Sequence, residues 1–323
     1  MKPRSLSRAI GGEVDAQVPG APRGGLRREP RTGWSEPKRH PRDQTRRGRC
    51  ADTVYVPTKL LDLLTGAQHE VSCGAGGLTG RIAGPAVGPG HDLVDRLRCL
   101  VVVLAGSANA DRRERLTRPE FAALVFGRVP DTATKVRSDQ LLQELAATTC
   151  SCLGGPPEDR SEAAEFPILE PMDGSTSMER TQFFLRRRLN VRPRQRFQLL
   201  VSLLNRNFPD EVIPVFLPSY LGFASDVAAA IYLRLAGPAS YSSAEAPYRI
   251  SLRKLWEQTG LACPRFASVR RKLLTQGTHS ALAQLGSARV GDGGWCLRVR
   301  LTLAEPTGDD ELVTWACRGL RSP

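Results

Sequence analysis

The stretch from Arg265 to Gln276 holds the residues best suited to meet a phosphate-rich partner. Read as a helix at about 100° per residue, Phe266, Val269 and Leu273 form one apolar face. Arg271 then projects nearly opposite, with Ser268 and Thr275 beside it and Arg270 and Lys272 on the flanks. An arginine in that position can bond guanine O6 and N7 together through its planar fork of donors. Arg265, Arg270 and Lys272 suit phosphate oxygens, which fix the register of a protein on DNA without reading sequence. An ordinary solvated helix face would have the same composition. The surroundings favour the DNA reading, because a helix and a turn precede this segment and a hairpin follows it.

The hairpin supplies a second set. From Trp295 onward, Trp295, Leu297, Val299, Leu301 and Leu303 alternate with Cys296, Arg298, Arg300 and Thr302. Alternate residues of a strand share a face, so Arg298 and Arg300 stand together, about 6.6 Å apart at about 3.3 Å per residue. That is close to the spacing of successive phosphates, and a wing laid along a DNA backbone would use them so. Earlier in the chain, Lys135 and Arg137 flank the exposed side of a helix whose buried face is Leu141, Leu142 and Leu145. They are assigned to phosphate, as are Arg186, Arg187 and Arg188. Those three begin a basic cluster that continues through Arg192 and Arg194, and a solvated linker is the rival reading there.

Other chemistries find little support. There is no GxxxxGK[ST] loop, no HExxH and no GxSxG elbow. His40, His69, His91 and His279 stand alone. Of the eight cysteines only Cys150 and Cys152 are close enough to suggest a shared metal, which would also need a distant histidine. Neither a catalytic group, a metal nor a cofactor is expected. The scattered cysteines read as reduced cytoplasmic thiols, and the tyrosines at 220, 232, 241 and 248 as core or hairpin residues.

These groups need elements to position them. Leu93, Leu97, Leu100 and Leu104 have helical spacing. Thr117 and Glu120 form a capping box with Leu116 and Phe121 as its apolar staple, and Gly127 stops that helix. A further helix is predicted over 132–147. Thr176 and Glu179 form a second capping box, predicting a helix through Phe183–Leu185 into the arginine run, and 196–204 is another short helix. Val212–Leu217 reads as an edge or irregular strand because of Pro214. Ser225 caps a helix to about Leu235, 248–250 is a strand, Ser251 caps a helix ended by Gly260, and Asp292-Gly293 joins two hairpin strands at 288–290 and 295–303. Arg115-Leu-Thr and Arg249-Ile-Ser recur at an offset of 134, and Val136/Leu141 and Val269/Leu274 at 133, which suggests two copies of one unit.

Charge places these elements in context. The 323 residues carry a net +13, of which +8 lies in residues 1–50. That segment lacks an apolar period and reads as a disordered basic arm. A basic balance favours nucleic acid first and an anionic membrane second, yet the apolar run Cys99–Ala105 is far short of the roughly 20 residues of a membrane span. No secretory signal is apparent, and Glu13, Asp15 and Glu29 argue against a transit peptide.

The segments Ser225-Asp-Val-Ala-Ala-Ala-Ile-Tyr-Leu-Arg-Leu-Ala236, Tyr241, Tyr248-Arg-Ile-Ser-Leu-Arg-Lys-Leu-Trp-Glu-Gln-Thr-Gly260 and Arg271-Lys-Leu-Leu274 resemble RepA-type and related plasmid replication initiators. Val54-Tyr-Val-Pro-Thr-Lys-Leu-Leu61 is similar to the opening strand and helix of the companion domain in tandem winged-helix initiators. The convincing part spans 212–303. The Gly-rich segment 74–90, the arm 1–50 and Gly277 depart from the family's pattern. The resemblance implies binding to repeated origin sites, autorepression as a homodimer and recruitment of host replication proteins.

The expected fold is therefore α+β and mostly α, with two tandem winged helix-turn-helix domains. The arm (1–50) is followed by a first winged-helix-like domain (51–175) with a Gly-rich loop at 74–90. Connecting helices (176–210), a second winged-helix domain (211–305) and a C-terminal tail (306–323) complete the chain. The expected function is sequence-specific binding of double-stranded DNA at direct repeats by a cytoplasmic, non-enzymatic initiator. A winged-helix transcription regulator and a winged-helix protein–protein interaction module are the alternatives.

Overall fold

Thr117 and Ser251, at the predicted offset of 134, open their helices in the same way. The computed structural model describes residues 52–318 apart from 74–77, 91, 109–114, 128, 154–164, 175–182, 186, 262–270, 272, 274–279, 292–293 and 303–309. Thr117 caps α3 (Arg118–Phe126) by accepting from the Glu120 amide, and Glu120 returns the bond to the Thr117 amide. Ser251 caps α8 (Leu252–Thr259) by accepting from the Lys254 amide, and lysine there cannot complete the box. Gly127 and Gly260 end the two helices in the left-handed conformation. Leu116 and Ile250, each preceding its cap, are buried. The Arg118 amide donates to the Arg187 carbonyl, and the Leu252 amide donates to the Asp310 carbonyl. Each helix start is thus tied to a strand arriving from later in its own half.

A longer helix precedes each of these. α2 (Leu93–Ala108) leads into α3 and then α4 (Thr132–Ala146), which Asp131 caps. α7 (Asp226–Ser240) is capped by Ser225 as expected and runs past the predicted end at Leu235, taking Pro238 into its last turn. α1 (Thr58–Thr65), α5 (Gln195–Asn207), α6 (Leu217–Tyr220) and α9 (Ala281–Gly286) complete the longer helical segments described.

The fold is mixed α/β, with more strand than the sequence predicted. A six-stranded antiparallel sheet has the order β1 (Thr53–Pro57), β10 (Val212–Phe216), β12 (Arg289–Val290), β13 (Trp295–Thr302), β14 (Glu311–Arg318), β11 (Tyr248–Ser251). The predicted hairpin across 291–294 exists as β12 and β13, but only Arg289 and Val290 pair there. The main partner of β13 is β14, along its whole length. Residues 306–323, read from sequence as a tail, therefore contain a sheet strand. β10 is interior, not an edge. Pro214 is tolerated because its carbonyl accepts from the Gly291 amide, so its main-chain groups face β12, where Val215–Val290 is the one paired position. On the β1 side, where all five residues pair, no donor from Pro214 is needed.

The segment 74–90 is not wholly loop. Within it lies β3 (Leu78–Ala83), an interior strand of a second sheet ordered β2 (Val71–Cys73), β3, β4 (Thr149–Leu153), β5 (Phe166–Pro167). The helix predicted over 176–188 is also corrected where residues are described. Phe184–Leu185 (β7) and Arg188–Leu189 (β8) form a two-residue hairpin with Arg187 left-handed at its turn. Phe183 is fully buried and Phe184 meets Phe121 edge to face, so burial of this aromatic pair holds the segment extended. β6 (Leu169–Pro171) pairs with β9 (Val191–Pro193).

One core joins the two halves. The buried Arg98 on α2 reaches Asp95 and, in the other half, Asp226 at 3.3 Å and the Phe223 carbonyl at 3.0 Å. Arg234 on α7 bonds Asp62 on α1 at 2.6 Å. No helix among the described residues is long and apolar enough to cross a membrane.

Candidate nucleic-acid interface

The β13–β14 hairpin presents its side chains by simple alternation. Leu297 is fully buried, whereas Arg298 and Arg300 are exposed on the opposite face, as the sequence predicted. Trp295, placed by alternation on the apolar side, is 41% exposed and lies under the Arg318 guanidinium, 5.6 Å from its ring centroid. Directly opposed residues share a face, so Arg298 stands beside Trp315 and Arg300 beside Val313. Continuing across β14 to β11, Val313 is opposed by Arg249. The outer face of these three strands thus carries three arginines.

Each arginine has a contact that orients it. Arg298 Nε donates to Cys317 Sγ at 3.1 Å. That contact raises the guanidinium's pKa further, so its charge is permanent. The Arg300 guanidinium lies 5.9 Å from the Trp315 ring centroid, at the outer limit of a cation–π contact. Arg249 pairs with Glu311 at 2.9 Å with both side chains solvated. A guanidinium has five donors, so the single bond to Cys317 leaves Arg298 most of its capacity for an anion.

α8 adds residues that sequence reasoning missed. Arg253 and Lys254 occupy its first turn and are exposed, and that turn has no acidic residue. The helix dipole disfavours cations there. A phosphate at the same end would offset the cost, since helix N-termini favour anions. The signal was readable: a cap at Ser251 followed by two basic residues.

Of the proposed reading helix, Arg271 and Leu273 are described. Both are helical; Arg271 is exposed and Leu273 is 1% exposed. That agrees with the predicted wheel. Arg265, Ser268, Arg270, Lys272 and Thr275 lie outside the described residues, as does Arg186.

The first half differs from expectation. Arg137 is half-buried, in ion pairs with Asp92 at 2.5 Å and Glu144 at 3.8 Å, so its charge is already matched. Lys135 is half-buried, and its carbonyl accepts from Arg118, which also pairs with Asp139. Arg187 and Arg188 are exposed at the β7–β8 turn. Arg192 pairs with Glu170 at 2.8 Å, and Arg194 lies against Phe166. The structure therefore brings together the basic residues of the second half more openly than those of the first. Cys150 is buried, and the described residues contain no cluster of three or more potential metal ligands.

No family model and no curated protein matches the chain in sequence. Among solved structures, the chain is similar to the Pi initiator protein in complex with iteron DNA, at 13% identity and a TM-score of 0.43, over 81% of this chain and 96% of that one. It is also similar to domains 2 and 3 of RctB. One such structure aligns at 12% identity and a TM-score of 0.44, over 84% and 93% of the two chains; the other aligns at 13% and 0.41, over 77% and 90%.

Proposed function

We propose that this protein binds double-stranded DNA sequence-specifically through two tandem winged-helix units, and that it acts as a plasmid-type replication initiator at repeated origin sites, without catalysis of its own. The observation that carries the reading is the outer face of β13, where Arg298 and Arg300 are both exposed on a hairpin whose second strand pairs with β11, the strand that leads into α8. Helix, strand, helix, helix and hairpin in that order make a winged helix, with the helix of Arg271 in the major groove and the hairpin along the backbone. The matching cap, stop glycine and strand tie at Thr117, Gly127 and Arg187 support a first unit of the same kind. Within this class, the initiator role rests on the sequence resemblance over 212–303.

Selection of bound fragments from a random or genomic DNA pool tests the proposal. An enriched motif, found as closely spaced direct repeats near the gene, is the expected result. A single palindromic operator would indicate a transcription regulator, and no enrichment at all would remove the sequence-specific reading. The triple variant Arg271→Ala/Arg298→Ala/Arg300→Ala is expected to bind the selected site more weakly and with a flatter salt dependence. Unchanged binding by that variant would show that the interface lies elsewhere.

A further inference from the structure

Cys296 and Cys317 are directly opposed on β13 and β14. Both are free and partly exposed, and both lie on the outer face with Arg298. Opposed residues of an antiparallel pair stand about 4.5–5.5 Å apart at Cα, within the roughly 4.4–6.8 Å that a disulfide spans. Their side chains also project to the same side of the sheet. The Leu297 amide donates to the Ala288 carbonyl, so Cys296 faces Cys317 at a hydrogen-bonded position, and a bond between the two sulfurs draws the strands closer at that point.

The Arg298 guanidinium touches only one of the pair in this way, donating to Cys317 Sγ at 3.1 Å. That contact distinguishes Cys317 from Cys296 and fixes its sulfur on the outer face of the hairpin, where a disulfide in solution can reach it. We propose that Cys296 and Cys317 form a thiol–disulfide exchange site on the hairpin, with Cys317 as the attacking thiol and Cys296 as the resolving one. The substrate class is a small-molecule disulfide.

In the first step the Cys317 thiolate attacks one sulfur of that disulfide. A mixed disulfide forms at Cys317, and the other half leaves as a thiolate. In the second step Cys296 loses its proton to solvent and attacks Cys317 Sγ. The Cys296–Cys317 bond forms, and the remaining half leaves as a thiolate. The two protein thiols are oxidised and the small disulfide is reduced to two thiols. Closure takes the Cys317 sulfur away from Arg298 and cross-links the two strands of the hairpin. An added dithiol reverses both steps. The proposal concerns the sulfur pair and stands whether or not this face meets DNA.

The test uses the full chain, folded, with oxidised glutathione as the disulfide, followed by acid quench and a non-reducing peptide map. Cleavage at Arg289, Arg298, Arg300 and Arg318 releases the two cysteines on separate peptides, so a link between them is unambiguous. The wild type is expected to give the Cys296–Cys317 linked pair with loss of both thiols. Cys296→Ser is expected to accumulate glutathione on Cys317. Arg298→Met is expected to slow the reaction at Cys317 by roughly threefold, because it removes the contact that holds that sulfur in place. Wild-type protein whose two cysteines stay unmodified, or carry separate glutathiones with no link, overturns the proposal, and this arm needs no variant to fold. Reaction at Cys296 in Cys317→Ser as fast as at Cys317 in the wild type overturns the assigned order.

Discussion

Arg271, Arg298 and Arg300 share a residue type, but the proposed interface gives them different roles. Arg271→Ala is expected to cost about 1–3 kcal/mol on the preferred site and to relax the preference at one base position, which binding to a panel of single-base variants measures. Arg298→Ala and Arg300→Ala should weaken all sites alike, each lowering the slope of log affinity against log salt by about one. Arg137→Ala should leave that slope unchanged, because Asp92 and Glu144 already hold its charge. A reduced slope in Arg137→Ala would mean that those ion pairs open on DNA. From sequence, Arg137 and Arg271 look alike, each on the polar side of a helix. Arg137 is half-buried and bound to Asp92, 45 positions earlier in the chain, a partner that no helical wheel displays.

At the scale of elements, caps and stops set the helix boundaries. Thr117→Ala and Ser251→Ala are each expected to cost about 1 kcal/mol of stability, read from the urea midpoint. Gly260 and Gly294 are both left-handed, at φ of 67° and 70°. A Cβ on Gly260 would fall 2.7 Å from Thr65 Cβ, whereas one on Gly294 meets open space. Gly294→Ala should therefore show only backbone strain, about 1 kcal/mol, and Gly260→Ala clearly more. Equal losses would mean that α8 does not press on α1 through Gly260. Such signals were legible because a cap and its amide are three residues apart. The segment 183–189 was misread for the opposite reason. A plausible capping box at Thr176 promised a helix, while burial of Phe183 and the contact of Phe184 with Phe121, far away in sequence, made strands.

Across the whole molecule, the two halves are predicted to unfold together. β1 completes the sheet of the C-terminal half, and Arg98 and Arg234 bond across the halves from buried positions. Trp256, Trp295 and Trp315 all report on the second half, whereas far-UV circular dichroism reports on both. The two transitions should coincide, and separate midpoints would show independent units. Arg98→Met is expected to cost about 3 kcal/mol, since it leaves carboxylates without their buried partner. Burial holds the Asp95 carboxyl above its ordinary value, partly opposed by Arg98. The folded chain therefore keeps that proton to a higher pH than the unfolded chain, and this residue's contribution to stability falls as pH rises through the interval. Asp95→Asn should remove that fall, so its stability relative to wild type improves as pH rises above the ordinary carboxyl value of 3.8. No relative improvement would mean that Arg98 outweighs burial.

The starts and stops of α3 and α8, the cap of α7, the repeat offset of 134, and the alternation that puts Arg298 with Arg300 are all readable in the residues alone. All but the offset follow from interactions between residues a few positions apart, and the offset is simply those local signals occurring twice. It took the assembled fold to show that Glu311–Arg318 is the partner of β13, that β1 joins the sheet of the far half, that β3 runs through a glycine-rich stretch, and that Arg137 is matched while Arg298 is exposed. Pairing and burial depend on which distant segments meet. A strand's own residues state which faces it has, but not which strand will lie beside it. The meeting of Cys296 with Cys317 is of this second kind: each is an unremarkable residue in its own strand, and the register alone brings the two sulfurs together.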